Sequence, residues 1–211
     1  MQKFCALVFD LGGVILDIDQ NRTLRSFQRM GIDLETVNME STVFTDFEIG
    51  KIQPADFRHH LHQALKGNYT YDQIDEAWNK MLIHLPTYRY KMLEKLSAHI
   101  PLYLLSNTNS IHIHWFHQYI EECYGLEKWN GLFKYQFLSH QIGMRKPHTS
   151  TYDWVANQIG AQPSQCLFID DSIANVQGAK EAGWHALLAK QGLDLHLLDD
   201  IYHNLQMHAT K

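Results

Sequence analysis

The chain has 211 residues and a formal net charge of −5 with histidine neutral, from 18 basic and 23 acidic side chains. That balance excludes a nucleic-acid binder working through a broad basic face, and 19% charged against 45% hydrophobic residues excludes a disordered chain. A chain of this size buries roughly 70% of the surface its unfolded form exposes, so one large domain, or one domain with a small insert, is expected.

The first apolar run, residues 4–9, ends at Asp10 and is too short for a signal-peptide core or a bilayer span. No other run approaches that length, so neither a membrane nor a nucleic acid is an expected partner. Cys5, Cys123 and Cys166 are odd in number, far apart and free of any CxxC pair, which fits a reducing, cytoplasmic setting. Further β-branched and aromatic runs follow at residues 102–105, 135–138, 166–169 and 184–188, separated by helix-like stretches. Strands alternating with helices predict an α/β fold, a Rossmann-like parallel sheet flanked by helices. The 14 histidines scatter without a Cys/His framework or His-Glu-x-x-His spacing, and most read as surface or half-buried side chains.

The gap from the first predicted strand to the second is about ninety residues and the later gaps are about thirty, near the size of one βαβ unit. Something is inserted after the first strand. Residues 19–86 read as helical throughout. Leu24, Phe27 and Met30 recur at helical spacing in 21–30, and Pro54 stands as a first-turn proline before 55–65. In 72–85, Ile74, Ala77, Trp78, Met81, Leu82 and Leu85 share one face. Hinges are expected near 16–20 and 85–87. At the other end, 193–207 reads as a helix with Leu195, Leu198, Ile201, Tyr202 and Leu205 on one side, able to cover the sheet.

Ligands of open parallel sheets bind beyond the carboxyl ends of the strands. There the chain places Asp10-Leu11-Gly12-Gly13, Ser106-Asn107, Asp170-Asp171-Ser172 and, after the third strand, Gly143-Met144-Arg145-Lys146-Pro147. A strand-end carboxylate can attack phosphorus or carbon, and the acid pair beside it repels it unless a divalent cation sits among them. Such hard oxygen ligands suit Mg²⁺. Lys146 supplies a fixed positive charge, and the Ser106 hydroxyl a donor to phosphoryl oxygens. Singly, each residue also reads as a helix cap, a turn or a surface lysine; four strand ends carrying this set together do not.

The motifs LVFDLGGVILD, LYLLSNTN, SHQIGMRKPHTSTYDWV and CLFIDDSIANVQGAKEAGW resemble those of the haloacid dehalogenase-like hydrolases, in order and over residues 4–184. The resemblance implies a core of residues 1–18 and 87–211 with an α-helical cap of residues 19–86, whose FEIGKIQPADF also resembles a recurring cap segment. DLGG with GMRKP is most similar to the small bacterial sugar-phosphate phosphatases, including those acting on glucose 1-phosphate. By the same resemblance Asp10 is the nucleophile, and Asp10, the Gly12 carbonyl and Asp170 bind Mg²⁺, with Asp171 as a further or outer ligand. Ser106 and Asn107 bind the phosphoryl group, Lys146 stabilises charge, and Asn175 completes the surroundings. The implied partner is a small phosphorylated metabolite, handled by a monomer or homodimer.

One departure matters. Phosphatases of this family usually carry an aspartate two residues after the nucleophile, which protonates the leaving group; here that position is Gly12. Losing a general acid costs about 10²–10⁴-fold where the leaving group needs a proton. Gly12 therefore implies an activated leaving group such as a sugar 1-phosphate, and argues against a phosphomutase. The alternatives are a metal-independent 2-haloacid dehalogenase, which has no use for paired Asp170 and Asp171, and a catalytically impaired binding member. A phosphate-accepting receiver domain carries its acid pair on the first strand and has no such insert. Substrate choice is expected from Asn21, Arg22, Glu48 and Trp78 on the cap, with His140 and Arg145 as outer-site residues.

Overall fold

The computed structural model describes residues 4–32, 42–190, 192–194 and 196–201. In chain order the elements are β1 (Ala6–Phe9), β2 (Asp17–Ile18), α1 (Gln20–Arg29), α2 (Thr42–Glu48), α3 (Pro54–Ala64), α4 (Tyr71–Asn79), β3 (Leu82–His84), α5 (Thr87–Ser97), β4 (Leu102–Ser106), α6 (Ser110–Cys123), α7 (Leu126–Leu132), β5 (Phe133–Leu138), α8 (Ser139–Ile142), α9 (Thr149–Ile159), β6 (Cys166–Asp170), α10 (Ile173–Glu181) and β7 (His185–Leu188).

The main sheet runs β5-β4-β1-β6-β7 with every pair parallel. From β1 the chain reaches β4 on one side, steps outward to β5, then returns to β6 on the other side. Strand order thus reverses at β1, and a crevice opens where β4 and β6 diverge. The two-residue period splits each central strand between two cores. Leu7, Phe9, Leu104, Leu167 and Ile169 pack with Leu93 of α5, Phe116 of α6 and Trp129 of α7. Ala6, Val8, Leu105 and Phe168 face the other way, onto Tyr152 and Val155 of α9 and Val176 of α10. Burial on both faces is why these strands read as unbroken apolar runs.

Helices α1 to α4 enclose a third cluster, dominated by rings. Phe47 stacks on Phe57 at 4.2 Å, Phe57 lies 5.1 Å from Trp78, and Ile111 of α6 joins from the sheet's side. Pro54 opens α3 as the spacing predicts, and Thr70 and Gln73 form a reciprocal capping box at the start of α4.

Two expectations about this insert need correction. It is not helical throughout: α4 stops at Asn79, and Leu82–His84 forms β3, antiparallel to β2 with Asp17 opposite His84. Both crossings of the chain between sheet and insert therefore lie side by side, and pairing satisfies their backbone groups at the expected hinges. The buried Arg89 braces this crossing, donating to Asp17 Oδ1 at 2.7 Å and to the carbonyls of Ile15 and Leu193, each at 3.2 Å. The phase of α1 also differs. Its fully buried residues are Thr23 and Phe27, with Leu24 and Met30 only half-buried. Thr23 earns its place by donating to the Trp78 carbonyl at 2.7 Å and accepting from the Met81 N–H at 3.0 Å.

Near the C-terminus, residues 196–201 are helical, with Leu197 and Ile201 buried and Leu198 partly buried against the sheet's first core. Leu195, Tyr202 and Leu205 lie outside the described residues. Among the described residues, no helix is long and apolar enough to cross a membrane.

Candidate active site

The strand ends that flank the crevice bring their polar residues to one place. Asp10 follows β1 and is 8% exposed; Asp170 ends β6 and Lys146 follows α8, at 0% and 1%. Lys146 Nζ sits between the two carboxylates, 2.9 Å from Asp10 Oδ1 and 2.6 Å from Asp170 Oδ2. The rest of the core holds these three groups in place. Asp10 Oδ1 accepts from the Leu11 N–H at 2.7 Å. Asp170 accepts from the Ser172 N–H at 2.8 Å and from Asn175 Nδ2 at 3.0 and 3.1 Å. Asn107 clamps the Lys146 backbone from both sides, accepting its N–H at 2.9 Å and donating to its carbonyl at 3.0 Å.

Oxygens of Asp10, Asp170 and Asp171 all lie within 4.8 Å of one another. Gly13 makes this possible: its φ is +79°, and a Cβ there would collide with Asp171 Oδ2. The electrostatics are those of crowded carboxylates. Burial, with Asp170 adding repulsion, pushes Asp10 up to about 6 although Lys146 pulls the other way. Burial and Asp170 likewise raise Asp171. Burial alone would depress Lys146, yet Asp10 and Asp170 hold it above its ordinary value. Hard oxygen donors gathered this closely, two of them raised, fit an oxygen-seeking dication.

Beside these residues, lined by their neighbours Leu11, Gly12, Asn107 and Arg145, lies a cleft of about 340 Å³, small-metabolite size. Its walls include Leu11, Leu16, Ile18, Met81 and Leu82, interrupted by Gln20, Glu48, Ser106, Asn107, Thr108, His112 and Arg145. Glu48 enters from the end of α2 and meets Arg145 Nη2 at 3.1 Å, across the boundary between insert and sheet. Its backbone is fixed as well. Ser139 Oγ donates to the Glu48 carbonyl at 2.6 Å, and Gly50 (φ +72°) approaches the His140 carbonyl so closely that a Cβ would overlap it. A larger, more open groove of about 770 Å³ beside β3 and α5 is lined by none of the strand-end residues.

The structure thus brings together Asp10, Gly12, Ser106, Asn107, Lys146, Asp170, Asp171, Asn175, Glu48, Trp78 and Arg145. It does not bring Asn21 or Arg22, which stand exposed on α1 outside the cleft; Gln20, in the turn before, lines it instead. Trp78 is both core and wall. His140 is half-buried on α8 and does not line the cleft.

His112 stands apart from the surface and half-buried positions expected of most of the histidines. It is buried, lines the cleft and stacks on Trp78 at 4.8 Å. Asn109 Oδ1 accepts from the His112 N–H at 3.0 Å and from Trp78 Nε1 at 3.4 Å, so its Nδ2 faces His112 Nδ1, 3.1 Å away, as a donor. That leaves the ring proton on Nε2. Burial pushes the imidazole down to about 4, the Trp78 carbonyl offsetting this only in part, so it is neutral at physiological pH. The signal available in sequence was its place three residues after Asn109, in the first turn of the helix that follows a site strand.

A parallel sheet with this strand order and a carboxylate–lysine–carboxylate set at its switch point defines an α/β enzyme with a site of the phosphoryl-handling kind. The chain belongs to the haloacid dehalogenase-like hydrolase family, whose sequence profile matches residues 6–183. It is similar to the D-ribitol-5-phosphate phosphatase of Bacteroides thetaiotaomicron, 28% identical over 194 residues that cover 89% of this chain and 93% of that one. It is also similar to a sesquiterpene phosphatase of Aspergillus oryzae, 29% identical over 94% of this chain and 92% of that one. Among solved structures, a wild-type haloacid dehalogenase family enzyme from Bacteroides thetaiotaomicron, crystallised with magnesium and inorganic phosphate, superimposes with a TM-score of 0.83. It is 34% identical and covers 92% of this chain and 98% of its own.

Proposed function

We propose that this chain is a magnesium-dependent phosphatase that hydrolyses the phosphate monoester of a small sugar or polyol through an aspartyl-phosphate on Asp10. The observation that carries the reading is Lys146, buried between Asp10 and Asp170 next to a small-metabolite cleft that their chain neighbours Leu11 and Arg145 line. The curated relatives and the magnesium- and phosphate-bound neighbour support it.

Asp10, Asp170, the Gly12 carbonyl and Asp171 would hold Mg²⁺, which when bound offsets the charge of the carboxylates and of the phosphoryl oxygens. The Asp10 carboxylate, ionised at neutral pH, attacks phosphorus; the bond from phosphorus to the ester oxygen breaks and the alcohol departs. Lys146 keeps its charge against the oxygens throughout, and Ser106 and Asn107 orient the phosphoryl group. Water then attacks the same phosphorus, releasing inorganic phosphate and the Asp10 carboxylate. Residues 19–86 act as the cap that closes over the sheet edge and excludes bulk water.

Two leaving groups are open to such a site. Gly12 taken alone favours a sugar 1-phosphate, whose anomeric oxygen leaves without much help. The presence of Glu48 in the cleft favours a primary phosphate, whose oxygen needs a proton. A panel of phosphorylated sugars and polyols, with and without Mg²⁺, tests the proposal: magnesium-dependent phosphate release from a subset is expected, and a flat response in both conditions overturns it.

A further inference from the structure

An alkoxide leaving from phosphorus needs a proton in the transition state, so a phosphatase for ordinary alcohols must present an acid to the ester oxygen. Position 12, which follows the attacking residue by two, cannot supply it, and the structure shows what occupies the space. A Cβ on Gly12 would lie 3.3 Å from Ile18 Cδ1 and 3.6 Å from its Cγ2. Ile18 belongs to β2, the strand leading into the insert, and it walls that side of the cleft with hydrocarbon.

The side chains that line the cleft then decide the matter by elimination. Its titratable groups are Glu48, His112 and Arg145. Arg145 holds its proton too tightly to give it up. The neutral imidazole of His112 is a weak acid, stacked under Trp78. Glu48 is the carboxylic acid among the lining residues. Its Oε2 is buried and makes no hydrogen bond; Arg145 Nη2, 3.1 Å away, gives it a charge contact without an aligned donor, and Arg145 Nε is likewise buried and unbonded. The carboxylate is therefore anchored beside Arg145, with one oxygen uncommitted to any hydrogen bond, on a residue that lines the cleft.

We propose that Glu48 is the acid and base of this reaction, brought by the insert to the cleft in place of a group on the loop after β1. This rests on the phosphatase reading above. As Asp10 bonds to phosphorus and the ester bond breaks, the proton on Glu48 passes to the departing oxygen, which leaves as the alcohol. The Glu48 carboxylate then takes a proton from the water that attacks the aspartyl-phosphate, returning both side chains to their starting state. Burial raises the Glu48 carboxyl despite the charges of Arg145 and Lys146, which suits a group that must carry a proton part of the time. An acid delivered from the insert also ties chemistry to closure, because its backbone is held by Ser139 of α8.

The test is single-turnover cleavage by the Mg²⁺-loaded enzyme of two probes, p-nitrophenyl phosphate, whose leaving group needs no proton, and D-ribitol 5-phosphate, whose leaving group does. For Glu48→Gln, first-turnover cleavage of ribitol phosphate is expected to fall by about 10²–10⁴-fold. The first-turnover release of p-nitrophenolate should change by less than about threefold, which also shows that the variant is folded. Equal losses on both probes, or a rise in KM alone, would make Glu48 a binding residue and overturn the inference. So would wild-type enzyme that cleaves the aryl but not the alkyl phosphate. Wild type inert toward every phosphate ester overturns the phosphatase reading itself, and that outcome is distinct from the others.

Discussion

On the floor of the cleft, the charged atoms find partners within the sheet's own loops. Lys146 is gripped by two carboxylates and its backbone by Asn107, and Asp170 also accepts from the Ser172 N–H and from Asn175 Nδ2, which reaches both its oxygens. The outer wall, where insert meets sheet, is built the other way: Glu48 Oε2, Arg145 Nε and His112 Nε2 are buried with no hydrogen bond. Unbonded buried polar atoms cost about 1–3 kcal/mol each unless something completes them. On the proposed phosphatase reading, a saturated floor would be preorganised for the one group every substrate shares, the phosphoryl. An unsaturated wall would be completed by the part of the substrate that varies.

The largest expected effect strikes the floor. Asp10→Asn keeps the shape and an acceptor for the Leu11 N–H but removes the nucleophile; phosphate release in the best assay should fall by at least about 10⁴-fold with the folding midpoint little changed. If turnover survived at a tenth of wild type, Asp10 would not be the attacking group.

Lys146→Met should be the most damaging for stability. It leaves Asp10 and Asp170 buried without their cation, a loss of about 3–5 kcal/mol in denaturant unfolding without metal. Added Mg²⁺ should recover part of that loss. Equal loss with and without the metal would mean that the carboxylates do not gather a cation, and the floor would owe its order to Lys146 alone.

The two regions also differ in how far they could be read without coordinates. Asp10, Ser106 and Asp170 were legible because buried parallel strands announce themselves as apolar runs, and whatever polar residue ends such a run stands at the sheet edge; Lys146, which follows α8, was legible from its place in the segment after the third predicted strand. The wall was legible only in pieces. Strands of two and three residues, β2 and β3, show no periodicity; they form because segments far apart in sequence meet, which no local pattern reports. The face of α1 turned on Thr23, a polar residue buried by two hydrogen bonds to distant backbone that the apolar spacing of Leu24, Phe27 and Met30 does not report, and it is Gln20, not Asn21 or Arg22, that lines the cleft. His112 depends on Trp78 stacking from another element.

His112 also offers a test of the wall that leaves the floor untouched. Its imidazole titrates at about 4 in the folded chain against about 6.5 unfolded. As pH falls from 6.5 to 4, the unfolded chain takes up the proton first, and about 3 kcal/mol of stability is lost over that window. The raised Asp10 acts in the opposite sense, so the informative quantity is the difference between wild type and His112→Phe, which keeps the stack on Trp78. That difference should change across pH 6.5 to 4. Parallel curves would mean that water reaches His112 and that the wall is open in solution.

The smallest effect belongs to the joint between the two regions. Ser139 Oγ accepts from the Thr108 N–H at 2.8 Å on the floor side, and its one proton faces the Glu48 carbonyl at 2.6 Å on the insert side in preference to the Thr108 carbonyl at 2.9 Å. Ser139→Ala strips both, leaving the Thr108 N–H buried without an acceptor, for about 1–2 kcal/mol by urea unfolding. The end of α2 would then rest on the Glu48–Arg145 contact and the close packing of Gly50 on His140, while Trp78 keeps its contacts with Asn109 and His112. Alkyl-phosphate cleavage should fall several-fold while the first turnover of an aryl phosphate holds, because the floor keeps its own bonds and only the delivery of Glu48 is loosened. A variant as stable as wild type, with both probes unchanged, would mean that the wall does not lean on Ser139 and that the two regions part and meet freely in solution.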